Sequence, residues 1–395
     1  MGTHQPLALK YRPRRFSQVV GQDAAVAVLR GMVTADKIAN LIIIHGPTGC
    51  GKTTLARILA RYCNCQSKGG VDKCDGCASC KAFRKDRHPD IHERDGGTFT
   101  GIDDVRALQQ VVALQPRYQR KIYIMDECHA LSKAAWTASL KMFEEPPADV
   151  TFVLCTTDVA KLPAAIQGRA IKLALNPLND RQLIDLIRAV AKHEGLKLPK
   201  DAAEKVAYFS QGHPRNALNA LERVLLALQG GKQLDLEKEA AKIAESTLGL
   251  APWQVVDKYV AAVLSGNANN ALKLASAVET RERKKDESDE EFHLRLKDER
   301  HWLDSHVFLA QICEAVRMHL CGVMVPSMVS GRFSFAVRNN AEAMKRYWTA
   351  DKLTELLALF VGAHERIKNY VVPEYDTLVL VTAQALQLQA RKVKP

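Results

Sequence analysis

Leu41-Ile42-Ile43-Ile44-His45-Gly46-Pro47-Thr48-Gly49-Cys50-Gly51-Lys52-Thr53 runs from a short β-branched apolar segment straight into a glycine-rich loop. The first five residues have the composition of a buried parallel strand. The loop fits G-x4-G-K-[ST], and residues 54–62 after it predict a helix with Leu55, Ile58 and Leu59 on one face. Strand, loop and helix in this order let backbone N–H groups surround phosphates at a helix N-terminus. Gly46, Pro47, Thr48, Gly49, Cys50, Gly51 and Thr54 are therefore expected to line a nucleotide. Lys52 would reach its terminal phosphates and Thr53 would hold Mg²⁺.

A phosphate loop of this kind needs a carboxylate at the end of a neighbouring strand. Lys121-Ile122-Tyr123-Ile124-Met125-Asp126-Glu127 supplies one. Asp126 is expected to serve the magnesium ion and Glu127 to polarise the attacking water. Read without the loop, the same acidic pair would be a helix cap for a segment from Leu131 onward. A third strand, from Val150 to Cys155, ends in Thr156-Thr157-Asp158, whose hydroxyls could orient that water.

Ten cysteines are present, and four of them, Cys65, Cys74, Cys77 and Cys80, carry two overlapping C-x2-C steps and one thiol upstream. That is the ligand count of a structural zinc site. An iron–sulfur cluster or a redox thiol set uses the same residue type, and spacing alone does not name the metal. Lys73, Lys81, Arg84 and Lys85 lie close enough in sequence to offset a zinc tetrathiolate. Cys63 is an additional thiol in a poorer position, and Cys50, Cys128, Cys155, Cys313 and Cys321 read as small packing residues.

At 395 residues, with 47% hydrophobic and 25% charged residues, the chain predicts two or three globular domains and excludes collagen-like and globally disordered classes. No apolar run approaches the roughly 18 residues of a membrane span. The first 20 residues lack a secretory pattern, so a cytoplasmic location is expected. The net charge is +12, and residues 1–100 hold 16 basic against 8 acidic residues, which places +8 of the excess there and hints at a polyanionic partner.

Taken together, the phosphate loop, the cysteine insert after its helix, Asp126-Glu127-Cys128-His129, Glu144-Glu145-Pro146-Pro147 and Thr156-Thr157-Asp158 resemble the clamp-loader ATPases of the AAA+ class. More narrowly they resemble the tau/gamma subunits of bacterial DNA polymerase III, over about residues 7–245. The resemblance implies an α/β AAA+ P-loop motor domain (residues 1–178, zinc insert 65–80), a small helical lid (179–243) and an all-α collar (244–395). Lys10 to Phe16 and Val19 to Gln22 match the adenine-side motif of the family, which assigns Tyr11, Arg12 and Val20 to the nucleotide.

The same resemblance gives Arg169 the role of an arginine finger acting on the ATP of a neighbouring subunit, although Gly168 and Ala170 replace the usual Ser and Cys. It makes Arg215, in Gly212-His213-Pro214-Arg215-Asn216-Ala217, a lid residue that touches the phosphates. Thr157 is the better sensor residue and Thr156 the second. Arg106 and Lys141 fall at basic positions that contact DNA, whereas Phe99 and Gly101 depart from two others, leaving Asp95–Gly101 as a flexible, nearly uncharged segment.

Implied cofactors are ATP, Mg²⁺ and Zn²⁺. Implied partners are a sliding clamp, delta-like and delta-prime-like loader subunits, further copies of the chain, and primer-template DNA, with no membrane. A non-hydrolysing structural subunit of the same loader and an AAA+ helicase or branch-migration motor are the alternatives.

Along the chain, Asn176 to Asp180 reads as a helix-breaking linker, and residues 181–243 as amphipathic helices broken at Gly195 and Gly212. Beyond about Ala244, apolar stripes in 306–321, 351–367 and 376–391 predict a helical core. Glu279 to Arg300, with seven basic and nine acidic residues in 22, reads as a solvated face. With the sequence ending at Pro395, a Pro-rich extension of the type that the resemblance associates with longer family members, tethering polymerase and helicase, is not expected.

Overall fold

The computed structural model describes residues 4–67, 74, 76–98, 101–229, 236–250, 253–276, 309, 311–313, 315–316, 350–368 and 381–388. They fall into two compact units, Met1–Leu226 and Ala227–Pro395. The charged run 279–300, Phe99 and Cys321 lie outside the described residues.

The first unit is built on a parallel sheet. In chain order it contains α1 (Asp23–Thr34), β1 (Leu41–His45), α2 (Lys52–Asn64), α3 (Ala78–Arg84), β2 (Ile91–Asp95), α4 (Ile102–Val112), β3 (Lys121–Asp126), α5 (Lys133–Glu144), β4 (Val150–Thr156), α6 (Ala164–Arg169), β5 (Ile171–Ala174), α7 (Asp180–His193), α8 (Lys200–Ser210) and α9 (Pro214–Gln229). The five strands lie in the order β2-β3-β4-β1-β5.

Why both faces are covered can be read from the strands. Ile42 and Ile44 of β1, Ile122 and Ile124 of β3, and Val153 and Cys155 of β4 pack with α1 and α2 on one side. The alternate residues Leu41, Ile43, Tyr123, Met125, Phe152 and Leu154 pack with Val105, Trp136, Phe143 and Ile166 on the other. Side chains alternate faces along a strand, so strands apolar at every position demand helices on both sides. β2 and β5, at the sheet edges, are the strands with exposed positions.

Within this core the Tyr123 hydroxyl is buried and makes no hydrogen bond. Leaving a buried hydroxyl unpaired costs free energy that removing it recovers. Tyr123→Phe is expected to leave stability unchanged or raise it by about 1 kcal/mol in a urea titration. A loss of more than about 1 kcal/mol would mean that the hydroxyl is bonded after all.

The register places the strand ends level: His45 of β1 is opposite Thr156 of β4, and Asp95 of β2 is opposite Asp126 of β3. The loops that leave these carboxyl ends therefore share one edge, where ligands of open α/β sheets bind.

α7 begins at a reciprocal cap in which Asn179 Oδ1 accepts the Gln182 N–H at 2.9 Å and Gln182 Oε1 accepts the Asn179 N–H at 3.2 Å. This satisfies two N-terminal donors of the helix. α7 and α8 bury Leu183, Ile187, Val190, Ala202 and Val206.

The second unit is helical throughout its described part. It comprises α10 (Leu236–Leu248), α11 (Trp253–Leu264), α12 (Ala268–Ser276), α13 (Ala350–Lys368) and helical residues at 309, 311–313, 315–316 and 381–388. Its core includes Val256, Tyr259, Leu309, Ile312, Leu356, Phe360, Val381 and Ala385, and the buried Tyr259 hydroxyl meets Thr382 Oγ1 at 2.7 Å. No helix among the described residues is long and apolar enough to cross a membrane.

Candidate nucleotide site and cysteine cluster

The loop between β1 and α2 folds through left-handed glycines, Gly49 at φ 81° and Gly51 at φ 102°. Gly46 meets a second restriction, since a Cβ there would stand 2.3 Å from the Leu175 carbonyl oxygen. Only glycine lets β1 turn out of the sheet at that point. Lys52, buried at the start of α2, donates to the carbonyls of Gly46 at 2.9 Å and Pro47 at 3.1 Å. Its ammonium thus lies against the loop. Thr53 Oγ1 donates to Asp126 Oδ2 at 2.6 Å, joining the loop to the end of β3.

Asp126 Oδ1 accepts the N–H of Glu127 at 3.0 Å. Glu127 stands at the N-cap of a single 3₁₀ turn, Cys128–Ala130, but its side chain makes no cap hydrogen bond there, and α5 starts on Ser132, whose Oγ accepts the Ala135 N–H at 3.1 Å. The acidic pair is therefore left to the cavity, which Lys52, Thr53, Thr54, Asp126, Glu127 and Arg215 line.

Arg215 reaches it from the first turn of α9. Gly212, before that helix, packs where a Cβ would be 2.6 Å from Pro177 Cβ, and its carbonyl accepts the Leu178 N–H at 2.8 Å. This close approach brings His213 to the loop, with Nδ1 3.6 Å from Cys50 Sγ. Burial first, and then the Lys52 charge, lower the His213 pKa.

Arg12 donates to Thr54 Oγ1 at 3.1 Å. Burial, then the charges of Arg57 and Arg215, lower its pKa, while Glu93 and Asp126 act in the opposite sense. The cations gathered here suit a polyphosphate. Tyr11 has another partner: its hydroxyl donates to Glu194 Oε1 at 2.5 Å, beside a Lys10–Glu194 ion pair at 2.6 Å. Burial and that carboxylate push the Tyr11 pKa up to about 12. Val20 is exposed next to Gly21, which packs against Leu178 and Gln182. Gln22 donates to the Asn176 carbonyl at 2.7 Å, tying the N-terminal motif to the linker before α7.

The Sγ atoms of Cys65, Cys74, Cys77 and Cys80 all lie within 4.8 Å of one another. Zinc–sulfur bonds of about 2.3 Å in a tetrahedron put sulfurs about 3.8 Å apart, so this donor set fits a zinc ion with slight contraction. Cys77 also caps α3, accepting the Cys80 N–H at 3.4 Å. The Cys77 N–H is the main cause of a Cys74 pKa lowered to about 6, whereas burial raises those of Cys65 and Cys80. Cys63 stays outside the group, buried, with its pKa pushed up to about 12.

Sequence reasoning overlooked the cation built into this cluster. Arg61, in the last turn of α2 and only 2% exposed, donates to the carbonyls of Cys74 and, at 2.7 Å, of Arg14, and its hydrogen bond favours the Cys80 thiolate. Its one signal was a charge on the α2 turn that leads directly into Cys65.

The family model for the DNA polymerase III delta subunit matches residues 21–179. The DNA polymerase III subunit gamma/tau of Mycoplasma genitalium is 33% identical over 278 residues, 70% of this chain and 46% of that protein. The DNA polymerase III subunit gamma of Buchnera aphidicola (Acyrthosiphon pisum) is 31% identical over 276 residues, 70% of this chain and 74% of that protein. The chain belongs to the DNA polymerase III gamma/tau family. Against its Mycoplasma relative the match spans just under half of that protein's length. A solved Thermotoga maritima RuvB Holliday junction branch migration motor aligns with TM-score 0.48 at 21% identity, covering 72% of this chain and 91% of that one.

In this gamma/tau-family chain Arg169 lies at the end of α6, 53% exposed, and pairs with Glu144 of α5. Arg106 is exposed on α4 and pairs with Asp103 at 3.2 Å, and Lys141 is exposed on α5. Thr157 is exposed beyond β4, whereas Thr156 is fully buried and bonded to His129. The segment after β2 is not loose through Thr98: Gly96 N–H donates to Asp126 O at 2.7 Å and Gly97 N–H to Asp95 Oδ1 at 2.8 Å. The glycines there permit a tight approach to β3, where a Cβ on Gly96 would stand 2.5 Å from the Glu127 carbonyl oxygen.

Proposed function

We propose that this chain is an AAA+ ATPase subunit of a clamp loader, hydrolysing ATP to open a sliding clamp and close it around primer-template DNA. The convergence of Lys52, Thr53, Asp126, Glu127 and Arg215 on one cavity, in a gamma/tau-family chain, carries the reading. Residues 1–178 would form the motor, 179–243 the lid and 244–395 the collar. Partners would be the clamp, delta-like and delta-prime-like subunits, copies of the chain, and DNA.

Lys52 and Arg215 would neutralise the phosphates, with Arg12 and the loop residues around the rest of the nucleotide. Thr53 Oγ1 and Asp126 Oδ2, already 2.6 Å apart, are the two oxygens that would hold Mg²⁺, which supplies charge neutralisation on the phosphates. Glu127 would accept a proton from the attacking water. The cysteine cluster would hold zinc as a structural ion, with Arg61 offsetting its thiolates. Arg106 and Lys141, both exposed, would meet DNA phosphates without reading sequence.

Arg169 would act on the ATP of the next subunit, so hydrolysis would wait on assembly. In the single chain its guanidinium is held by Glu144, and acting in trans requires it to leave that partner. In the assembled loader with clamp and primed DNA, wild-type chain should hydrolyse ATP and load clamps. Arg169→Ala should hydrolyse about 10³-fold more slowly with nearly unchanged ATP affinity. Wild-type turnover in that variant removes the finger role, and absence of DNA-stimulated hydrolysis by the wild type removes the function.

A further inference from the structure

Glu127 follows β3 with a left-handed backbone, φ 45° and ψ 41°. For a non-glycine residue this conformation is strained, and it re-aims the side chain away from the strand direction. The carboxylate has an unusual surrounding. Oε2 is buried and makes no hydrogen bond, although the side chain as a whole is 37% exposed. The exposure therefore belongs to the remainder of the group, on the side that lines the cavity with Lys52 and Thr53.

His129 faces the sealed oxygen. Its Nδ1 stands 3.4 Å from Glu127 Oε2 and 3.2 Å from Thr156 Oγ1. The partners of the hydroxyl bear on which of these atoms carries the proton. Thr156 Oγ1 donates to the Asp158 carbonyl at 3.1 Å and accepts the Asp158 N–H at 3.0 Å. We assign the hydrogen to Nδ1 on this network, because Thr156 Oγ1 can then accept from the imidazole while the neighbouring carboxylate oxygen, which only accepts, meets a donor. The same N–H lies beside the unsatisfied oxygen of Glu127. At 3.4 Å the contact is longer than a made hydrogen bond. Catalytic hydrogen bonds are commonly long without substrate and tighten when it binds.

We propose that His129 is a positioning residue: anchored on Thr156, its Nδ1–H holds the Oε2 side of Glu127 and so presents the other oxygen to the nucleotide cavity. The inference rests on the reading of Glu127 as the group that activates water. It also gives Thr156, the last residue of β4, a task distinct from touching phosphate. The hydroxyl sets the imidazole, and the imidazole sets the carboxylate. A purely structural histidine would change stability and nucleotide affinity along with the rate. A positioning residue changes the rate alone.

The test compares His129→Asn, His129→Gln and His129→Ala in the full chain assembled with its loader partners, with Thr156→Val alongside. An Asn amide can place an N–H near the Nδ1 position, whereas a Gln amide reaches toward Nε2. His129→Gln, His129→Ala and Thr156→Val are expected to lower kcat for ATP about 10- to 100-fold while the equilibrium Kd for ATP stays within about twofold. His129→Asn should stay within about threefold of wild type. Equal kcat values for His129→Asn and His129→Gln overturn the proposal. So does a fall in ATP affinity that parallels the fall in rate. If His129→Ala does not fold, the Asn and Gln pair still decides. A wild-type chain that binds ATP but fails to hydrolyse it in the assembly overturns the reading of Glu127, and this inference with it.

Discussion

Glu127→Gln should bind ATP with wild-type affinity and hydrolyse it about 10²- to 10⁴-fold more slowly. The substitution keeps the size of the side chain and its place in the cavity but removes the proton acceptor. It also leaves the left-handed backbone to the same kind of side chain, so the turn after β3 should persist. Lys52→Ala should behave differently, because Lys52 has two tasks. Its ammonium holds the carbonyls of Gly46 and Pro47 and so offers a cation at the loop itself. Losing it should weaken ATP binding as well as turnover. Single-turnover hydrolysis with equilibrium binding on both variants separates these effects. Tight binding with normal turnover in Glu127→Gln would falsify the general-base role.

The second large effect is expected at the cysteine cluster. Cys77→Ser retains a side-chain acceptor at the N-cap of α3, since serine caps helices well, while removing one soft ligand. Any loss is then chargeable to metal and not to the cap. Bound zinc should fall from one per chain to none. The midpoint of thermal unfolding of the first unit should drop by about 6–12 °C, equivalent to about 3 kcal/mol at 2–4 °C per kcal/mol for a unit of this size. Cys63→Ala serves as the control, because Cys63 is buried but lies outside the cluster. It should keep its zinc. Metal content by atomic absorption and a thermal scan check both variants, and full zinc retention in Cys77→Ser would show that the ion is not held by this set.

The strand, loop and helix from Leu41 to Asn64 were legible because each depends on neighbours in the chain. A β-branched run, a G-x4-G-K-[ST] spacing and a following apolar stripe specify backbone geometry locally. The cysteines were legible for a related reason, as overlapping C-x2-C steps force three thiols to one side of a short turn. Cap chemistry was less so. Asp126-Glu127 looks like a helix start in isolation, and only Ser132, bonded to Ala135, shows where α5 begins.

What the sequence determined by itself was the presence of a phosphate loop, its acidic partner, a four-thiol set and the three central strands, whereas the edge strands β2 and β5, less apolar, were not read from it. The tertiary structure alone decided which distant side chains meet. Both faces of β4 are apolar, so nothing in its pattern distinguishes Thr156 from Thr157. The parallel register with β1 buries Thr156 and brings His129 to it. Arg215 reaches the loop because glycine at 212 lets its segment pack against Pro177 and Leu178. Arg61 serves the cysteines because α2 ends beside them, and Tyr11 meets Glu194 because the N-terminal segment crosses to the end of α7. Local patterns encode backbone conformation. Convergence of side chains depends on register, crossing and close packing, which no single stretch of sequence contains.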